Sequence, residues 1–209
     1  MEKLIAGGRI VTESGIFEAD ILIRDEKIVS VGDNLPRNEG TEIIDAAEKL
    51  IMPGGIDAHV HLNLPMPGTI SSDDHFTGTM AAAFGGTTTV IDFANHDRPS
   101  LVDSFKTWQA QALPNIAVDY GIHQNFTNFN EKTLAEIPLL PELGVTSIKM
   151  FTAYNGRMRL SDAQIFQAMR IAKQEGIISL IHAENGDLID LLVKEALENG
   201  HTEPIWHAR

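Results

Sequence analysis

The chain has 209 residues and is 43% apolar, enough to bury the core of one sizeable domain and too apolar for disorder. Its formal charge of −13 argues against nucleic acid and anionic membranes as partners. It has no cysteine, which excludes disulfides and thiolate metal sites, so any metal must be held by nitrogen and oxygen. No stretch approaches the roughly 18 apolar residues of a membrane span. Met1–Gly8 has no apolar signal core. A soluble, cytoplasmic protein is expected.

The first fifty residues read as short β-strands. Leu4–Ala6 and Arg9–Val11 flank Gly7-Gly8, a hairpin signal, and Ile21–Arg24 and Lys27–Val31 flank the tight turn Asp25-Glu26. Asn34–Thr41, with Pro36 and Gly40, reads as a loop, and Ile43-Ile44 and Leu50–Met52 as further strands. The apolar run from Leu50 to Ala58 leads into His59-Val60-His61. Residues 1–52 are therefore expected to form a small β-layer, and residues 53–209 a different kind of unit.

From Pro53 onward strand candidates begin near Asp57, Thr87, Val118, Ser147 and Ile178, at spacings of 30, 31, 29 and 31 residues. Helical patterns fill the intervals at Asp73–Phe84, Leu101–Leu113, Lys132–Leu140 and Asp162–Gln174, and a fifth follows at Asp187–Asn199. Ser161-Asp162-Ala163-Gln164 is a capping box. Gly85, Gly176 and Gly200 fall where helix C-caps belong. Regular βα alternation predicts parallel strands with helical crossovers. Five units are too few to close a (β/α)8 barrel but could complete an open doubly wound sheet. The segment after Asn199 carries no signal for a sixth strand, so the chain reads as cut short.

Chemistry in such folds sits at the C-terminal ends of the strands. The polar residues there are His59 and His61, Asp92, His123, Lys149 and His182. In an extended chain His59 and His61 project from one face, and paired imidazoles suit zinc and related metals. They could equally be solvated or core histidines. Lys149, inside Ser147-Ile148-Lys149-Met150-Phe151, is either an edge residue, a partner of an acid, or a buried amine able to lose its proton. A neutral amine can add carbon dioxide to give a carbamate, an oxygen ligand able to bridge two metals.

This combination resembles the cyclic amidohydrolases, most closely the dihydropyrimidinase and D-hydantoinase family. The matching segments are Met52–Leu62, Ala81–Phe93, Ile148–Tyr154 and His182–Ile189. The resemblance runs from about Ile21 to Arg209. It implies an α/β fold: the first part, about five βα units, of a metal-dependent (β/α)8 TIM-type barrel over residues 53–209, with a small N-terminal β-sandwich portion over 1–52. It implies two divalent metal ions, usually Zn2+, with His59 and His61 on one, His182 on the other, and a carbamate on Lys149 between them. A hydroxide held by the metals would attack the ring carbonyl, and Tyr154 would donate to the developing oxyanion; its alternative is a packed loop aromatic.

The family also uses a histidine on the sixth strand and an aspartate on the eighth, both expected beyond Arg209. Asn63 stands where many relatives carry an acid, in the loop Leu62–Thr69 that helps shape the family's side-chain pocket. The partners implied are a small cyclic amide and further copies of the chain, as tetramers, with no nucleic acid or membrane. The rival readings are allantoinase or dihydroorotase chemistry, and a non-catalytic dihydropyrimidinase-like scaffold. His123 and Asp92 are expected to be structural. His75, His96, His201 and His207 are read as surface residues. Phe151 and Asn155–Arg159 are candidate pocket residues, with Arg157 and Arg159 equally consistent with solvent exposure.

Overall fold

The roughly 30-residue rhythm corresponds to one strand and one helix per period. The structure, a computed structural model, describes residues 1–66 and 68–208, with Ala208 as backbone only. Pro67, in the loop expected to shape a pocket, and Arg209 lie outside the described residues. The chain divides into two compact units, Met1–Gly54 and Gly55–Arg209.

The N-terminal unit is a mixed sheet of β1 (Glu2–Thr12), β2 (Gly15–Arg24), β3 (Lys27–Gly32), β4 (Glu42–Asp45) and β5 (Leu50–Ile51). Strands β1, β2 and β3 form an antiparallel meander, and β4 and β5 pair in parallel with successive stretches of β1. Asp25 and Glu26 both take left-handed φ, of 47° and 66°, as a two-residue hairpin turn demands. Gly7-Gly8, by contrast, is not a hairpin. It lies within β1, at a bulge where the register with β2 slips between Ile5 and Gly8, and Gly7 has φ of 73°. The true turn is Glu13-Ser14, since Thr12 pairs with Gly15. Ile5 and Ile10 are five apart and would face opposite sides of a regular strand. The extra residue brings them into one cluster with Ala19, Ile21, Ile23 and Ile51.

The apolar run Leu50–Ala58 is not one strand. Residues 52–54 separate β5, in the first sheet, from β6 (Gly55–Val60), in the second. Pro53 has no N–H to give a ladder, which favours a break there.

The second unit begins with β6 and a small hairpin, β7 (Pro65–Met66) with β8 (Thr69–Ile70). Then follow α1 (His75–Phe84), β9 (Thr87–Ala94), α2 (Leu101–Ala112), β10 (Asp119–Asn125), α3 (Glu131–Glu136), β11 (Ser147–Phe151), α4 (Asp162–Gln174), β12 (Ile178–His182) and α5 (Gly186–Glu198). The sheet is parallel, in the order β6-β9-β10-β11-β12. Each strand lies beside its predecessor. A doubly wound sheet would reverse direction at a switch point, whereas this singly wound order is that of a (β/α) barrel wall.

The helix boundaries follow local chemistry. Ser161 accepts from the Gln164 N–H and Gln164 reaches back to the Ser161 N–H, and α4 begins at Asp162 as expected. Asp74 and Thr77 form an equivalent box on α1. Gly85 caps the C-terminus of α1, as expected, and the left-handed φ falls on the next residue, Gly86. The core lies between sheet and helices, where Leu101, Phe126, Ile137, Leu140, Ile148, Met150, Ala168 and Ala172 are fully buried. No helix among the described residues is long and apolar enough to cross a membrane.

Candidate active site

His59 sits near the end of β6 and His61 just past it. The ladder from β6 to β9 loses register between Asp57 and Val60, a bulge at Ala58-His59. Bulges re-aim side chains beside active sites. Here the disrupted backbone finds other partners: Ala58 O accepts from His123 Nε2 at 3.0 Å, and the His59 N–H donates to Asp57 Oδ1 at 3.1 Å. His123 Nδ1 then accepts from the Ser147 hydroxyl. His123 is thus a structural strut from β10 to β6 and β11.

The rings of His59 and His61 lie 5.3 Å apart, centre to centre, on the same side of the chain. Both pack on Phe93 of β9, at 4.5 and 4.7 Å, and His123 lies 4.8 Å from the same ring. Lys149 Nζ stands 5.8 Å from the centre of Phe93 and 5.6 Å from that of Phe151. Burial pulls the pKa of both histidines down, and the positive charge of Lys149 pulls further on each. Burial also lowers that of Lys149. Lys149 is not an edge residue, because β10 and β12 flank β11, and among the described residues it forms no ion pair.

The series continues around the wall. Phe151 lies 5.9 Å from His182, and the Tyr154 ring lies 5.1 Å from His182, tilted at an interplanar angle of 31°. His182 Nε2 donates to Glu184 Oε2 at 2.5 Å. Tyr154 is 42% exposed and has φ of 65°. A left-handed tyrosine is strained, and such strain concentrates at functional sites. Its turn is held by the N–H groups of Arg157, Met158 and Arg159, which donate to Tyr154 O, and by Thr152 Oγ1, which donates to the carbonyls of His182 and Glu184. A Cβ on Gly186 would fall 3.0 Å from Ala153 Cα, so glycine lets α5 start against this loop. Arg159 is solvent-exposed, one of the two expectations for it, but tethered: it donates to Asp187 Oδ1 at 2.5 Å and to Asn155 Oδ1 at 2.7 Å, tying the loop to α5.

Among the described residues no three His, Asp or Glu side chains converge as a ready-made metal cluster. The donor chemistry nevertheless fits a metal on His59 and His61. Both are biased toward the neutral form a metal needs, and the nearby cation is a desolvated lysine without an acid partner. The Nε2–H of His182 held by Glu184 is the outer contact usual for a ligating histidine.

Three features escaped the sequence reading. Phe93, 1% exposed, is the floor on which both histidines rest. His75 and His96 are not surface residues. His75 is 3% exposed and faces Asp92 Oδ2 at 3.5 Å. His96 is half-buried, and its Nδ1 accepts from the N–H groups of Thr127 and Asn128 at 3.1 and 3.3 Å. The partners of these two histidines lie on elements distant in sequence, beyond the reach of local patterns. His201 stacks on Trp206 at 3.6 Å, and His207 is exposed as expected.

Comparison with known proteins identifies the family. The profile of the Amidohydrolase family matches residues 50–205. D-hydantoinase of Geobacillus stearothermophilus is 46% identical over 100% of this chain and 44% of its own length. Dihydropyrimidinase of Rattus norvegicus is 41% identical over 98% of this chain and 40% of its own. A crystal structure of D-hydantoinase superposes with a TM-score of 0.94 at 44% identity, covering 100% of this chain and 45% of the other. L-hydantoinase of Arthrobacter aurescens superposes at 0.81 with 27% identity, over 95% and 44%. The chain spans less than half the length of these relatives. With a barrel-wall sheet and a family profile that matches residues 50–205, it belongs to the amidohydrolase family.

Proposed function

We propose that this chain supplies the metal-holding part of a cyclic amide hydrolase that opens dihydropyrimidine or hydantoin rings. The observation that carries the reading is the continuous run of side chains across the strand tips: His59 and His61 on Phe93, then Lys149, then Phe151, His182 and Tyr154. Named relatives at 41 to 46% identity hydrolyse such rings by name, which supports the substrate class.

His59 and His61 would hold one divalent metal, His182 the other, and Lys149, as its carbamate, both; zinc suits this nitrogen and oxygen set. When bound, such a pair polarises a carbonyl and makes water a nucleophile at neutral pH. The protein's own contributions are clearer in outline. Phe93 and Phe151 shield part of the Lys149 amine from water, and this partial burial lowers its pKa toward the neutral form that takes up carbon dioxide. Glu184 orients the His182 ring. Tyr154, at the edge of the site, offers a phenolic O–H to the oxygen that gains charge as the ring amide is attacked.

The test is metal content and ring hydrolysis in the natural full-length protein and its Lys149→Ala variant. Two metals per chain and turnover of dihydrouracil or hydantoin, both lost in the variant, are expected. Faster turnover of allantoin or dihydroorotate would move the reading to those enzymes. A metal-free, inactive protein would move it to a binding scaffold.

A further inference from the structure

Asp92 is fully buried, and a carboxylate in that position must be compensated by hydrogen bonds or charge. Its side chain faces away from the strand-tip site, toward the helices, because it follows the parity of Ile122 while Phe93 follows that of His123. Oδ2 accepts from the Tyr120 hydroxyl at 2.7 Å and from Trp108 Nε1 at 3.2 Å, with His75 Nε2 at 3.5 Å. Burial and this carboxylate push the Tyr120 phenol far above its ordinary range, so it remains a donor. Oδ1 accepts from the Phe93 N–H at 2.8 Å and from the Leu62 N–H at 3.3 Å.

The Leu62 contact connects the cluster to the site. The backbone pairing of β6 with β9 ends at Val60, opposite Asp92. Leu62 lies past that ladder, and the Asp92 carboxylate binds its N–H instead. One residue therefore grips both sides of His61: its backbone is paired with Val60 before the imidazole, and its side chain binds Leu62 after it. The next residue in the chain, Phe93, stacks 4.7 Å from the imidazole itself.

We propose that Asp92 is the positioning residue of His61, anchored in turn by Tyr120, Trp108 and His75. This rests on the reading in which His61 binds a metal. The carboxylate cannot be exchanged for an amide here. Oδ1 faces the backbone N–H groups of Leu62 and Phe93, and Oδ2 faces the Trp108 N–H, so an asparagine would set its NH2 against an N–H donor whichever way it turned.

The test uses the natural full-length protein stripped of metal and reloaded with cobalt(II), whose visible ligand-field bands report coordination geometry. Asp92→Asn should lower cobalt affinity about 10- to 100-fold, the usual effect of losing an outer-shell partner of a ligand, and shift the bands. Tyr120→Phe keeps Oδ1 on Leu62 and loosens only the Oδ2 side, so a smaller loss and shift in the same direction are expected. Ile137→Val, in the helix-side core, serves as the stability control: it should lower the melting temperature and leave the cobalt bands unmoved. If Asp92→Asn does not fold, Tyr120→Phe decides the matter. Variants that fold and keep wild-type affinity and bands, behaving like Ile137→Val, would reduce Asp92 to a structural hub and overturn the proposal. Failure of the unchanged protein to take up cobalt would overturn the metal reading, and the positioning role with it.

Discussion

Phe93 and His61 stack at 4.7 Å with an interplanar angle of 26°, and Lys149 Nζ stands 5.8 Å from the centre of the same phenyl ring. One apolar residue thus contacts two groups that repel when both are charged. Phe93→Ala should cost about 3–5 kcal/mol in urea unfolding, as for a buried aromatic. Phe93→Leu should keep the fold and weaken metal retention, because a branched aliphatic gives the imidazoles no flat face. Equal metal content under competing chelator in Phe93→Leu and the parent would show that the ring is only filler.

Tyr154 combines a strained backbone with a side chain left partly in solvent, a combination that packing alone does not require. Tyr154→Phe keeps the ring on His182 and removes only the donor. In the full-length protein it should retain metal and melting temperature while kcat falls by about 10²–10³, the usual effect of one oxyanion donor. Turnover near that of the parent would assign Tyr154 to packing.

Acid should loosen the N-terminal sheet through Glu2. Its carboxylate accepts from Thr41 Oγ1 at 2.6 Å, from Arg24 Nη2 at 2.8 Å and from Asn38 Nδ2 at 3.0 Å, which together hold its pKa down to about 2. The folded value lies below the ordinary 4.5, so the stabilisation is complete above about 4.5 and is lost as pH falls toward about 2. Thermal melts across that window should show a falling midpoint in the parent and a flatter one in Glu2→Gln. Parallel curves for the two proteins would remove Glu2 from the account.

Helix α5 leaves Leu188, Leu191, Leu192 and Leu197 between 49 and 61% exposed, and β12 pairs only with β11 among the described residues. An open strand beside an apolar helix face favours association. Residues 1–209 expressed alone should therefore elute larger than a monomer and bind an apolar dye. Leu188→Lys with Leu192→Lys should reduce both. A monodisperse monomer with no dye binding would contradict this.

Local signals sufficed wherever the determinants are close in sequence. The range of α4 could be read from its capping box and period, and the turn at Asp25-Glu26 from two residues able to adopt left-handed φ. The strand tips bearing His59, His61, Lys149 and His182 followed from the 30-residue period. Reading failed where a residue's meaning is set by a distant partner. Gly7-Gly8 has the composition of a hairpin, yet β4 and β5 pair along both halves of β1 and keep it one strand. His75 has a polar, helix-start sequence context and is buried because Trp108 and Tyr120 close over it at ring distances of 5.5 and 6.1 Å. Phe93 is one apolar residue among many until three other strands bring their side chains to its face.

The outward turn of Asp92 has an evolutionary consequence. In a wall of this kind, substitutions on the helix side tune durability and substitutions at the strand tips tune chemistry, so the two can vary separately. Asp92 breaks that separation, because the same carboxylate answers to α1, α2 and β10 on one oxygen and to the backbone beside His61 on the other. Drift in Trp108, Tyr120 or His75 would then be felt as a change in catalysis, and adaptive changes around His61 would be felt as a change in heat tolerance. Compensating pairs of substitutions in a laboratory lineage selected for new rings should accumulate around this one residue.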